Sequence, residues 1–280
     1  MCYIPFKIQY VHIKKTIMIL ELPLLLLAAI FGAIVGSFLN VVILRLPNPE
    51  QSIVFPASHC PICSAPLHWY ENIPIFSYIF LRGKCGHCKT SISLQYPLVE
   101  ILMMLLATAV VHTFKVSYET IGYFVFSAAL LVIIFIDIRH QIIPDVISLP
   151  GIVLGFIFSF INSTVTWQSS LIGILAGGGV LYAIALFYMM IRKIEGMGGG
   201  DIKLLAMIGA WLGYQSLPFV ILTSSLSGAV IGIILLRSQK KGSDTRIAFG
   251  PFLSGAALIY TFFSKEILYF SYLYLTGQWP

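Results

Sequence analysis

The sequence predicts an all-α polytopic membrane protein of about eight transmembrane helices, interrupted once by a small cysteine-bearing loop domain. Three observations predict it. Of the 280 residues, 58% are hydrophobic and only 10% charged, and the mean hydropathy is +0.93. A soluble domain carries roughly a quarter charged residues, so this chain lacks the polar groups to cover a water-facing surface. The apolar residues also come in runs at or near the ~20 residues a helix needs to cross a bilayer. Finally, segment 45–96 breaks that pattern, with prolines, aromatics, polar residues and four of the five cysteines.

Taken in order, the runs lie at 20–44, 97–114, 121–138, 146–162, 169–191, 202–213, 217–236 and 247–264, the last extending toward 275. Residues 202–213 are short, since twelve helical residues reach only about 18 Å against a ~30 Å hydrocarbon core. Positive charge decides in favour of a crossing. With eight spans and residues 45–96 inside, the inner loops hold Arg45, Arg82, Lys84, Lys89, Arg139, Arg192, Lys193, Lys203, Arg237, Lys240, Lys241 and Arg246. The outer side keeps Lys7, Lys14, Lys15, Lys115 and Lys265. Were 202–213 not to cross, the Arg237–Arg246 cluster would lie outside, against the positive-inside rule. The sixth span is therefore expected as a short helix extended through residues 214–217. The three lysines before the first span would vanish from a chain started at Met18, and no secretory signal is evident. The net charge of +6 orients loops and has no soluble basic domain through which to bind nucleic acid.

The expected organisation is a tail and first span at 1–44, a cytoplasmic zinc-binding loop domain at 45–96 and a bundle at 97–280. A loop-rich segment with little core needs a staple. Here Cys60-Pro-Ile-Cys63 and Cys85-Gly-His-Cys88 are separated by 21 residues. Two such knuckles fit a tetrahedral structural zinc site, each supplying two thiolates from one tight turn. Disulfides are disfavoured in the reducing cytoplasm, and a redox C-x-x-C would need a βαβ setting. His59, His68 and His87 lie nearby and read as surface residues. In the bundle, Gly32, Gly36, Gly173 and Gly177 read as sites of close helix approach in lipid.

Ionisable groups inside a bilayer are costly and mark function. Glu21 and Glu100 fall at span ends, where either can be solvated, and Glu100 can also anchor its helix against the cysteine loop. Asp137 closes the third span beside Arg139 and His140. Asp201 opens the sixth, after Gly196-Met-Gly198-Gly-Gly200. The two aspartates are expected at one membrane depth. Two carboxylates brought close share a proton, one acting as base and the other as acid, and so activate water against a peptide bond. Glycines before Asp201 would let an extended peptide lie against the backbone. Plainer readings stand beside these: a helix N-cap for Asp201, a salt bridge to Arg139 for Asp137, packing for the glycines. Asp145 reads as an N-cap of the fourth span.

Gly198-x-Gly200-Asp201 resembles the signature of the GxGD intramembrane aspartyl proteases, among them the type IV prepilin peptidases. The run Asp137-Ile-Arg-His-Gln-Ile-Ile-Pro144-Asp145 resembles that family's first-aspartate motif. Gly36-Ser-Phe-Leu-Asn40-Val-Val-Ile-Leu-Arg45-Leu-Pro47 resembles its opening motif, and Cys60 to Glu100, with Trp69-Tyr-Glu-Asn-Ile-Pro74, its zinc loop. The match runs in order from about 30 to 255.

The resemblance implies a bacterial inner-membrane peptidase with Asp137 and Asp201 as its catalytic pair. It implies cleavage of prepilin or pseudopilin leaders at the cytoplasmic face of the bilayer, and methylation of the new N-terminus from S-adenosylmethionine. The polar groups Asn40, Arg45, Glu71, Asn72, Gly83 and Lys84 lie near the inner surface, and none is singled out for methyl transfer. The competing class is a transporter or proton relay using the same two aspartates.

Overall fold

The computed structural model describes residues 5–48, 50–193, 198–239 and 248–277, with side chains left undescribed at 5–20, 236–239 and 275. Gly196, Lys240, Lys241 and Arg246 of the sequence reading, and the fifth cysteine, Cys2, lie outside the described residues. Each apolar run folds as a helix: α1 (Pro5–Arg45), α3 (Gln95–Phe114), α4 (Tyr118–His140), α5 (Asp145–Phe158), α6 (Trp167–Arg192), α7 (Gly199–Leu212), α8 (Leu217–Gln239) and α9 (Gly250–Thr276). The cysteine segment adds one short helix, α2 (Phe76–Phe80). Among the described residues there is no strand, only two isolated bridges, His59 with Pro66 and Lys84 with Ser91.

Five stretches are long and apolar enough to cross a membrane: Glu21–Arg45, Gln95–Phe114, Tyr118–His140, Trp167–Arg192 and Tyr214–Leu235. Helices α5 and α7 have 14 residues each, about 21 Å of rise. The extension of the sixth run through 214–217 is not found. Helix α7 stops at Leu212, because Gly213 takes φ +75°, and a 3-10 turn over Tyr214–Ser216 follows.

The chain forms two compact units, residues 1–41 with 54–120 and residues 42–53 with 121–280. In the first, α1 passes α3 at Gly32 and Gly36. A Cβ at Gly36 would lie 2.7 Å from the Glu100 Cα, so only glycine allows the approach. Glu100 is buried and accepts the Ile75 backbone N–H at 2.7 Å. The anchoring reading is thus the one the fold adopts. Glu21 pairs with Lys115 at 2.9 Å.

In the second unit α7 is the central helix. All of its residues from Leu204 to Leu212 are buried, chiefly against α6 and α5. Protein on all sides explains why so short a helix can be apolar all round. Gly173 and Gly209 bring α6 and α7 to backbone contact. Trp211 stacks on Phe126 with ring centroids 5.1 Å apart, and its indole N–H donates to the Gly151 carbonyl at 2.8 Å. These contacts fix the height of α7 and therefore of the aspartate at its head.

Candidate active site

Asp137 occupies the last turn of α4 and is only 4% exposed. A carboxylate so placed needs donors, and one comes from far along the chain. The Gly250 N–H, at the start of α9, donates to its Oδ2 at 2.9 Å. Pro251 follows, so Gly250 stands at a proline-marked helix start, where the helix dipole favours an anion. A Cβ at position 250 would lie 2.6 Å from that same Oδ2 and 3.2 Å from Ile143 Cδ1. Glycine is what lets backbone and carboxylate meet.

Asp201 is the third residue of α7, with Gly198 as N-cap. Its backbone N–H donates to the Gly198 carbonyl at 3.2 Å. Gly200 backs onto Ile143, since a Cβ there would lie 3.0 Å from the Ile143 Cβ. Ile143 therefore touches the surroundings of both aspartates. The fold thus gathers the surroundings of the two aspartates, carried by two different helices, at this one side chain. Among the described residues Asp137 forms no ion pair with Arg139. Asp145 is the first residue of α5, one position past the N-cap Pro144, and both its oxygens accept from Lys203 Nζ, at 2.7 and 2.8 Å. That exposed pair ties α5 to α7 two residues beyond Asp201.

Sequence reasoning passed over Gly250. Its local signal, Phe249-Gly250-Pro251, announces a helix start but carries no hint of a partner 113 residues away.

The four cysteines form a second cluster. The two knuckles repeat one geometry. Cys60 N–H donates to Ala65 O at 3.0 Å and Ser64 N–H to Cys60 O at 2.9 Å; Cys85 N–H donates to Thr90 O at 2.8 Å and Lys89 N–H to Cys85 O at 3.1 Å. Ser64 and Lys89 hold the equivalent left-handed position, φ 56° and 60°. All four sulfurs lie within 4.8 Å of one another, and Cys60 and Cys88 Sγ are 3.8 Å apart. Sulfurs on ~2.3 Å bonds around a tetrahedral ion are about 3.8 Å apart, so the set fits a metal ion. The Thr90 hydroxyl and then its backbone N–H pull the Cys88 thiol down to about 6. The N–H groups of Cys63 and Ile62 lower Cys60. Both shifts are toward the thiolate, the form that binds metal, while Cys63 is pushed the other way, up to about 11.

The profile of the bacterial peptidase A24 N-terminal domain matches residues 30–114, and that of the type IV leader peptidase family matches residues 124–233. The prepilin leader peptidase/N-methyltransferase of Stutzerimonas stutzeri is 38% identical over 268 residues, 88% of this chain and 93% of its own. The chain belongs to the type IV leader peptidase family. Relatives of the same name in Pseudomonas putida (36% over 272 residues, 90% of this chain and 94% of theirs) and Neisseria gonorrhoeae (39% over 251 residues, 81% and 86%) extend the family match. No solved structure matches the chain. Family membership and the five apolar helices together indicate an inner-membrane protein.

Proposed function

We propose that this chain is an aspartic endopeptidase that removes the leader of type IV prepilins or type II secretion pseudopilins and N-methylates the residue so exposed. What supports it is the packing at the ends of α4 and α7: Gly250, whose N–H donates to Asp137, and Gly200, which precedes Asp201, both lie against Ile143. One carboxylate takes a proton from water as its oxygen attacks the scissile carbonyl. The other gives a proton to the leaving amine, so the pair ends the cycle with one proton between them. Gly250 orients Asp137 for this exchange. A transporter using the same carboxylates would not place the chain in a peptidase family. The direct test is purified protein in liposomes with a prepilin and S-adenosylmethionine, read by mass spectrometry of the product N-terminus. A shortened, singly methylated product supports the reading, and an intact precursor overturns it.

The rest of the layout belongs to the same proposal. Eight helices cross, with α5 and α7 short and α7 shielded by its neighbours. The 45–96 domain and both aspartates face the cytoplasm, and residues 97–280 form the peptidase bundle. A precursor's apolar helix lies among the spans and its leader stays in the cytoplasm. The cut falls where the substrate helix ends, since helical peptide bonds are shielded by their own hydrogen bonds.

The glycines before Asp201 admit that extended segment, and the two positions separate under test. Among the described residues no atom lies within 4 Å of a Cβ built at Gly198, whereas Gly200 meets Ile143. Gly198→Val is expected to leave the melting temperature unchanged and to slow cleavage by roughly tenfold or more through the substrate alone. Gly200→Val is expected to lower both. Wild-type cleavage by Gly198→Val would reduce position 198 to a plain helix cap.

Cys60, Cys63, Cys85 and Cys88 would hold a structural zinc, which supplies no chemistry beyond fixing the two knuckles. Cys60→Ser or Cys85→Ser, at the two buried positions, is expected to lose one equivalent of zinc. It should also open residues 45–96 to protease before the bundle unfolds. Full metal retention in both variants would contradict the assignment. The one cavity described among the described residues does not fit S-adenosylmethionine. The cavity of about 660 Å³ in the first unit is lined by apolar groups apart from Ser37, Ser58 and Asn72. It offers no carboxylate to a sulfonium or ammonium, and no methyl-transfer step is routed through it.

A further inference from the structure

Beside the cysteine cluster lies a second set of metal-binding groups that the peptidase reading does not use. His68, Glu71 and His87 each present a ligand atom, and the three atoms lie within 4.8 Å of one another. Local folding explains the meeting. His68 precedes a 3-10 turn over Trp69–Asn72, and Glu71 reaches back so that its Oε2 accepts the His68 N–H at 2.9 Å. That capping contact holds the carboxylate over the residue that carries the first imidazole. The second imidazole comes from the knuckle Cys85-Gly86-His87-Cys88, and its ring centroid lies 6.0 Å from that of His68. Gly86 makes room, because a Cβ there would overlap Glu71 Oε1. No described cation pairs with Glu71, and the nearby Lys89 ammonium is taken up by the Gly86 carbonyl at 2.8 Å.

Two imidazoles and one uncompensated carboxylate make a donor set for a zinc-class divalent ion. Three protein ligands leave the fourth tetrahedral position open. We propose that His68, Glu71 and His87 form a second divalent-metal site, distinct from the four cysteines, with one coordination position free for water or an outside ligand. Ligand atoms on ~2.0–2.2 Å bonds around a tetrahedral ion sit about 3.3–3.6 Å apart, inside the 4.8 Å that bounds the three atoms here. Both histidines are exposed and can close the remaining distance by rotation. The ion bridges the 3-10 turn to the second knuckle. Trp69 and Asn72 of that turn line the cavity along α1, so occupancy fixes one of its walls. The site stands apart from the peptidase reading and shares only its neighbourhood with the cysteines.

The test is metal counting on the full chain in detergent, equilibrated with buffered Zn²⁺, then with Co²⁺ as a spectroscopic probe. Wild type is expected to hold about two zinc ions per chain, and the His68→Ala/His87→Ala double variant about one. The double variant should keep the thiolate-to-cobalt charge-transfer band, which reports the cysteine cluster and hence a folded loop. Glu71→Gln should weaken the second ion without touching that band. A wild-type count of one with the band present overturns the proposal, and so does a second ion that persists in the double variant. If the band is missing in wild type, the cysteine reading fails instead. The histidine-dependent equivalent then still decides this one.

Discussion

Asp137→Asn or Asp201→Asn lowers prepilin cleavage by at least about 10³-fold while the protein stays inserted and helical. Asparagine is nearly isosteric, and its carbonyl oxygen can still accept the Gly250 N–H that Asp137 Oδ2 accepts now. What it cannot do is take up or release the proton that water activation requires. Each single variant removes one half of an exchange that needs both, so the double variant should be no worse than either single one. The check is single-turnover cleavage in liposomes, with circular dichroism and gel filtration in detergent as controls for the fold. A variant that still cuts at a tenth of the wild-type rate would mean the carboxylates do not perform the chemistry. A transporter or proton relay built on the same residues predicts that outcome.

What could be read from the sequence follows from how local each signal is. A run of apolar residues announces its own helix, and each of the eight runs is a helix here. Whether a helix crosses is a weaker inference, because burial in protein and burial in lipid select the same residues. Helix α7 is the case in point. Its apolar residues face other helices, and the glycine that ends it, Gly213, is the last residue of the apolar run, just before the stretch read as a continuation. The cysteine knuckles were legible because two-residue spacing dictates one turn geometry, and both knuckles adopt it.

The two aspartates stand out in the sequence because charge at the end of an apolar run is conspicuous. Contacts between distant residues were not. Glu100 reads both as a solvated span end and as an anchor against the cysteine loop, and only the fold supplies its partner, the Ile75 N–H. His87 is the surface residue that the sequence reads it as, and only the fold brings His68 and Glu71 alongside it.

Gly250→Ala is expected to cut kcat by roughly 10²-fold with little change in KM, an effect far larger than one methyl group usually produces. The backbone at 250 does not take a left-handed φ, so alanine is conformationally acceptable and adds only its Cβ. That atom would sit 2.6 Å from Asp137 Oδ2 and 3.2 Å from its Cγ, so something must move. The backbone of α9 is held by the packing of Leu253, Ala256 and Ala257, all buried, which leaves the carboxylate to swing aside. Displacement breaks the Gly250 N–H bond and changes the distance to Asp201, so proton exchange suffers while the surfaces that hold substrate remain. Gly255→Ala is the matched control. It lies one turn on in the same helix with no atom within 4 Å of a built Cβ. It should keep wild-type kinetics and gain slightly in stability from the better helix former. Equal kcat in the two variants would show that Asp137 tolerates displacement, and Gly250 would then have no part in positioning it.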